Sequence, residues 1–214
     1  MSDTEPRSYQ QLCPLAMALD HVGDRWSMLI VRDLLGGPAR FADLRRSLPG
    51  IATNLLTERL RRLEASGIVE RRVIPNHTTY TLTELGADLR NALVALGEWG
   101  ARIGPVGAPP ADLTAARSAA VGVQSMLVGV DLPDRHVVEL RIDDDPLTLR
   151  FGGGEAAIVR AGAPERADAI ASITMRGLNE LALGDGGSDL LHHDAGDEGI
   201  VGLLRTALVG GHRS

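Results

Sequence analysis

Along the first hundred positions, apolar residues recur at helical spacing in short runs separated by glycine and proline. Leu15, Leu19 and Val22 form one stripe, opened by Cys13-Pro14 and ended by Gly23. Asp24 is placed to cap a second helix with Met28, Leu29 and Leu35 facing inward and Trp26 as a core residue, and Gly36-Gly37-Pro38 ends it. Phe41, Leu44 and Leu48 mark a third helix, stopped by Pro49-Gly50 because proline donates no amide and glycine accepts the turn. Leu56, Leu60 and Leu63 mark a fourth. Two β-branched runs, IVERRVI and TYTLT, are separated by Pro75-Asn76-His77-Thr78 and predict a hairpin. Thr83 then caps a helix whose stripe holds Leu85, Leu89, Ala92, Leu96 and Trp99, widened by Leu93 and Val94.

After a Gly/Pro-rich linker at 105–112 the pattern changes. A helix is predicted from Leu113 to Gly129, then strands HVVELRI, LTLRF and EAAIVR. The turns Asp143-Asp144-Asp145-Pro146 and Gly152-Gly153-Gly154 make these strands an antiparallel meander. AIASITM reads as a further strand and RGLNELALG as a short helix closed by Gly184. A polar loop with His192 and His193 leads to a last helix, GIVGLLRTAL. The fold class is α+β: a flexible arm at 1–11, a helical domain with a β-hairpin at 12–104, and an α+β domain with an antiparallel sheet covered by helices at 113–214.

Composition narrows this picture. The chain has 214 residues, 44% of them hydrophobic, enough for one or two packed domains. It has no apolar run of about 18 residues. The polar MSDTEPRSYQQ start has no secretory pattern. One cysteine excludes an internal disulfide and fits a cytoplasmic protein. Net charge is −6, yet residues 40–72 hold eight arginines against four acids. From 105 onward there are nine arginines against 16 acids, so that half should not lie against DNA. All 22 basic residues are arginine, which suits bidentate contact to guanine or phosphate. Aromatics are only 3%, which argues against stacking on single strands.

The fourth helix carries Thr53, Asn54, Thr57, Glu58 and Arg61 opposite its leucine stripe. These side chains suit base edges in a major groove, although the stretch alone reads equally as an ordinary helix pair. The following hairpin shifts that balance, since helix, turn, helix, hairpin is the order of a winged helix. Arg71, Arg72 and His77 lie on or near the wing, and with Arg45 and Arg46 are candidates for phosphate contact.

Residues 12–104 resemble the HxlR family of winged helix-turn-helix transcription regulators. The likeness is carried by CPLAMALDHVGDRWSMLIVRDLLGGPARFADLRRSLPGI, LLTERLRRLEASGIVERR and YTLTELG. It implies a homodimer on double-stranded DNA at a near-palindromic operator, a repressor more than an activator. It also implies an interface built from the first and last helices: Leu15, Leu19, Leu89, Leu93, Leu96 and Trp99. Ala52 stands where the family often has serine, so Thr53 becomes the candidate helix cap. The short wing turn weakens the expectation of minor-groove contact. Some members sense oxidants through a cysteine at the place of Cys13; a small apolar residue near the interface is the plainer reading.

The second half resembles the sterol-carrier-protein-like domain in its order of elements and in the strand at Ala167-Asp168-Ala169. That resemblance implies an apolar small-molecule effector in a pocket lined by Leu127, Leu140, Ile142, Leu149, Phe151, Ile158, Ile173 and Leu181. The same residues read equally as plain core of a dimerisation module, and a protein mainly binding a hydrophobic metabolite is a further alternative. His192-His193-Asp194 fits no metal-ligand spacing. No phosphate loop, nucleophile elbow or catalytic triad is present in the sequence, so neither an enzyme nor a cofactor is expected.

Overall fold

The computed structural model describes residues 8–75, 77–103, 116–127, 134–182 and 186–210. The chain divides into two compact units, one of residues 1–34 and 38–89, the other of residues 35–37 and 90–214. The expected linker and Gly184 lie outside the described residues.

The first unit runs α1 (Pro14–Val22), α2 (Ser27–Leu35), β1 (Ala39–Arg40), α3 (Phe41–Ser47), α4 (Thr53–Ala65), β2 (Val69–Ile74), β3 (His77–Leu82) and α5 (Glu84–Ala87). β3 lies between β1 and β2, antiparallel to both, which makes the hairpin a three-stranded wing. Ile30, Val31, Leu34, Leu44, Leu56 and Leu63 are buried in the core. The inward face of α2 is rotated from the expected one: Met28 and Leu29 are only half-buried, while Ile30, Val31, Leu34 and Leu35 are buried. A nine-residue helix that is apolar on most sides offers periodicity no clear phase. Trp26 is half-exposed rather than core, with the Arg25 guanidinium 5.6 Å above its ring.

Two expected caps are absent and one is present. Asp24 directs its carboxylate to arginines of α4 instead of to α2. Thr53 is the first helical residue of α4, after Ala52, which makes no side-chain cap bond. Thr83 does cap α5, its hydroxyl accepting from the Gly86 N–H at 3.1 Å. Gly86 is required there, because a Cβ would lie 2.1 Å from the Ile68 carbonyl oxygen. The single helix expected after Thr83 is broken at 88–89, where the Leu89 N–H turns back to Gly86 O.

The second unit holds α6 (Arg90–Ile103), α7 (Ala116–Met126), β4 (His136–Ile142), β5 (Asp145–Gly152), β6 (Glu155–Ala161), β7 (Ala169–Ile173), α8 (Met175–Ala182), β8 (His192–Gly196) and α9 (Glu198–Gly210). The sheet order is β6-β5-β4-β7-β8. β4 to β6 form the expected meander, and β7 returns beside β4 in parallel. The β4–β5 turn places Asp143 and Asp144 at φ 47° and 71°. The Asp143 carboxylate accepts from the Met175 N–H at 3.2 Å and so caps α8. Arg90 of α6 donates to Gln124 of α7 at 2.7 Å, and burial, with Arg160 nearby, pushes the Arg90 pKa down.

Strand alternation sets the core. Val138, Leu140, Ile142, Leu147, Leu149, Phe151, Val159, Ala171 and Ile173 meet Val123 of α7, Leu127 just beyond it, Leu178 and Leu181 of α8, and Val201 and Leu204 of α9. Ile158 departs from expectation. It lies between buried Ala157 and Val159, so it points to the opposite face, where it pairs with Arg150. The expected polar loop at His192-His193 is the edge strand β8, paired antiparallel with β7. Edge strands are often polar, so alternation gave no signal there. Ser172 Oγ donates to Asp194 at 2.9 Å, and Gly196, at φ 81°, passes against Asp168 and Ala169 where a Cβ would clash.

The two faces of the sheet should respond differently to truncation. Leu149→Ala, at a site with no exposure, is expected to lose about 2–5 kcal/mol in denaturant unfolding. Ile158→Ala is expected to lose about 1 kcal/mol or less. Equal losses would overturn the assignment of faces.

Candidate nucleic-acid interface

α4 is seated by Leu56, Leu60 and Leu63, none more than 2% exposed. That turns Thr53, Asn54, Glu58 and Arg61 to solvent, with Thr57 half-buried beside them. The Thr57 hydroxyl donates to the Thr53 carbonyl at 2.9 Å, so outward it offers lone pairs rather than a proton.

Three polar anchors hold this helix. On α2, the carboxylate of Asp33 is fully buried; it accepts from Ser47 Oγ at the end of α3 and pairs with Arg32 at 2.8 Å. Asp24 pairs with Arg59 at 3.1 Å and Arg62 at 3.8 Å, and both arginines also grip Glu58, at 3.1 and 2.7 Å. His21 Nδ1 meets Ser66 Oγ at 3.0 Å, tying the last turn of α1 to the C-cap of α4. Glu58 is therefore a structural partner of Arg59 and Arg62 through Oε1, while its Oε2 stays exposed on the outer face of α4. Sequence reasoning missed Asp33 and Ser47 as anchors; a lone carboxylate within SMLIVRDLL was the available signal.

The expected phosphate-contacting residues separate into groups. Arg45 is exposed and unpaired among the described residues, while Arg46 lies 3.9 Å from Asp43. Arg71 and Arg72 occupy opposite faces of β2, as successive strand residues must. Arg72 is bonded to Glu70 at 3.0 Å, and that hydrogen bond raises its pKa. Arg71 instead stands opposite Tyr80 of β3. His77 is half-buried at the start of β3. Between α4 and the hairpin lies a cleft of about 230 Å³ lined by Thr57, Leu60, Arg61, Glu64, Arg71 and Tyr80.

Elsewhere, Cys13 is exposed at the N-cap of α1. Leu15, Leu19, Leu96 and Trp99 are exposed, 67% and 51% for Leu15 and Trp99, and Leu89 is half-buried. Leu93 does not belong with them, since it is buried within its own chain. Of the expected pocket residues, Leu127, Leu140, Ile142, Leu149, Phe151, Ile173 and Leu181 share one core, and Ile158 does not. No group of three or more His, Cys, Asp or Glu side chains among the described residues is placed to hold a metal, and no helix among them is long and apolar enough to cross a membrane.

Comparison with known proteins agrees with this geometry over the first part of the chain. Residues 21–107 match the family described as HxlR-like helix-turn-helix. The HTH-type transcriptional regulator YtfH of Escherichia coli K12 is 37% identical over 98 residues, 44% of this chain and 78% of that protein. YodB of Bacillus subtilis, also an HTH-type transcriptional regulator, is 38% identical over 92 residues, 41% of this chain and 82% of its own. Among solved structures, the redox regulator HypR in its oxidized form shares 36% identity, covering 44% of this chain and all of that one, at a TM-score of 0.42. YtfH and YodB both carry the name of HTH-type transcriptional regulators. With relatives above one-third identity aligned over most of their own length, the chain belongs to the HxlR-like family of helix-turn-helix transcriptional regulators.

Proposed function

We propose that this chain is a cytoplasmic repressor that binds a near-palindromic DNA operator as a homodimer, with the second unit sensing an apolar small molecule. The observation that carries the DNA reading is the solvent face of α4. Thr53, Asn54, Thr57 and Arg61 stand on a helix whose other face is locked into the core, at a width a major groove admits. Arg45, Arg46, Arg71, Arg72 and His77 surround it as candidates for backbone contact, with Arg72 and Arg46 partly committed to Glu70 and Asp43. Glu58 acts by holding Arg59 and Arg62.

The dimer reading is supported by exposed apolar side chains on helix surfaces: Leu15 and Leu19 on α1, Leu96 and Trp99 on α6. Such faces are seldom left to water in a monomer. Two α4 helices would then reach half-sites about one DNA turn apart. A single cysteine restricts any disulfide to one between subunits or with a small thiol, and Cys13 is exposed, where such a partner can reach it.

For the second unit, the shared burial of Leu140, Leu149, Phe151 and Leu181 supports an apolar enclosure between sheet and helices. Their mutual packing also favours a second reading, a structural or dimerisation module with no ligand. Native mass spectrometry of the purified protein separates the two: extra small-molecule mass on a dimer supports the sensor, and a dimer without it supports the structural module. A monomer would refute the half-site arrangement.

Asn54→Ala is expected to weaken binding to an operator obtained by in vitro selection by about 1–3 kcal/mol while leaving random DNA unaffected. Equal loss on both would remove Asn54 from base reading. Cys13→Ser is expected to abolish any effect of diamide on DNA binding, measured by gel shift; a diamide effect that persists in this variant would refute the redox role.

A further inference from the structure

We propose that the cleft between α4 and the β2–β3 hairpin seats a single phosphodiester of the DNA backbone, held by Arg61 and Arg71 with the Tyr80 hydroxyl as a third donor. The proposal rests on the DNA-binding reading above. It gives Arg61 a different task from reading a base: it fixes the register of α4 in the groove.

The first argument is how the arginines are partnered. Arg59 and Arg62 are engaged by Asp24 and Glu58, Arg72 by Glu70, and Arg46 lies near Asp43. Arg61 and Arg71 have no ion pair or hydrogen bond among the described residues. They come from different elements, yet they line the same concavity of about 230 Å³, which has room for a phosphate group. Two positive charges share this lining with a single carboxylate, Glu64, which is ion-paired to neither; the arginines repel each other, and an anion between them removes that repulsion. The planar fork of arginine matches phosphate oxygens.

Tyr80 supplies the second argument. It is the cross-strand partner of Arg71, so both side chains stand on the same face of the hairpin. It is half-buried, and its hydroxyl has no partner among the described residues. A phenol in that setting ordinarily finds one. Thr57, also in the lining, already donates to its own helix, so the donors left are the two guanidinium groups and the phenol. Leu60 forms an apolar part of the wall. Glu64 also lines the cleft, without an ion pair to either arginine, and its carboxylate opposes an anion.

The test uses the full chain on a random-sequence duplex, with affinity followed across a salt series. Arg61→Gln and Arg71→Gln should each flatten the dependence of log K on log salt. Because both hold one phosphate, the double variant should lower the slope by about 1, not about 2. Tyr80→Phe should weaken binding roughly tenfold on any sequence, and Glu64→Gln should tighten it. A duplex carrying one neutral methylphosphonate should show a position where Arg61→Gln and Arg71→Gln bring no further loss. A drop in slope of about 2 in the double variant would mean two separate phosphates and overturn the shared seat. An unchanged slope with relaxed preference at one base pair would make Arg61 a base reader, leaving the DNA-binding reading standing without the cleft. If inorganic phosphate binds tightly and Arg61→Gln abolishes that binding with no change in slope on DNA, the anion is a free ligand and the backbone assignment fails. If the wild-type protein binds no duplex, the DNA reading and the cleft proposal both fall.

Discussion

A carboxylate with no exposed surface, Asp33, joins the last turn of α2 to the end of α3, the helix that leads into α4. Burying such a charge is unfavourable unless it is paired and hydrogen-bonded. Here Arg32 supplies the opposite charge and Ser47 the hydrogen bond, so the end of α3 must stay where its hydroxyl can reach α2. The turn into α4 begins immediately afterwards, at Leu48 to Ile51. The direction in which α4 leaves the core is thus set by a polar requirement as well as by leucine packing. Hydrophobic burial alone tolerates sliding, whereas a single hydroxyl on a buried carboxylate does not.

The same logic governs the outer surface of α4. Asp24, Arg59, Glu58 and Arg62 form a chain of ion pairs from the loop before α2 to the second and third turns of α4. Individually, exposed pairs contribute little. Arg59 is the exception, because its side chain is only 15% exposed and must be neutralised by its neighbours. The network sorts the arginines of this helix into those that hold it and those left for a partner. Composition cannot make that distinction, since every basic residue in the chain is arginine.

Much of the first unit was legible in the sequence because its signals are local: Pro49-Gly50 stops a helix, three leucines phase the next, and Thr83 caps α5. The α4 face was legible for the same reason. The differences arose where the deciding interaction is distant. The ion pairs of Glu58 with Arg59 and Arg62 on α4 become visible only when Asp24 and the two arginines are in place around it. Arg71 and Arg72 read as equivalent wing residues until the pleat assigns one to Tyr80 and the other to Glu70. Leu93 joined the exposed stripe because its own stripe is wide enough to face two ways. In the second unit, alternation placed most of the core correctly. It failed at Ile158, one residue out of phase, and at β8, whose histidines, aspartate and glycine carry no strand signature.

The parallel pairing of β4 with β7 has a consequence for how the second unit is made. β4 is third of five in space but first in the chain, and its second neighbour arrives only after β5 and β6 have been laid down. During synthesis the meander would form early by local hairpin closure, leaving one side of β4 without a partner. That side is a row of free amides and carbonyls beside Val138, Leu140 and Ile142, an invitation to pair with another chain. Closure waits for a non-local contact, which is slow by nature. The polar β8, carrying His192, His193 and Asp194, then takes the outer position. The finished sheet is bordered on that side by a strand poorly suited to recruiting another, and the interval before β7 docks on β4 is when the nascent domain is most exposed to aggregation.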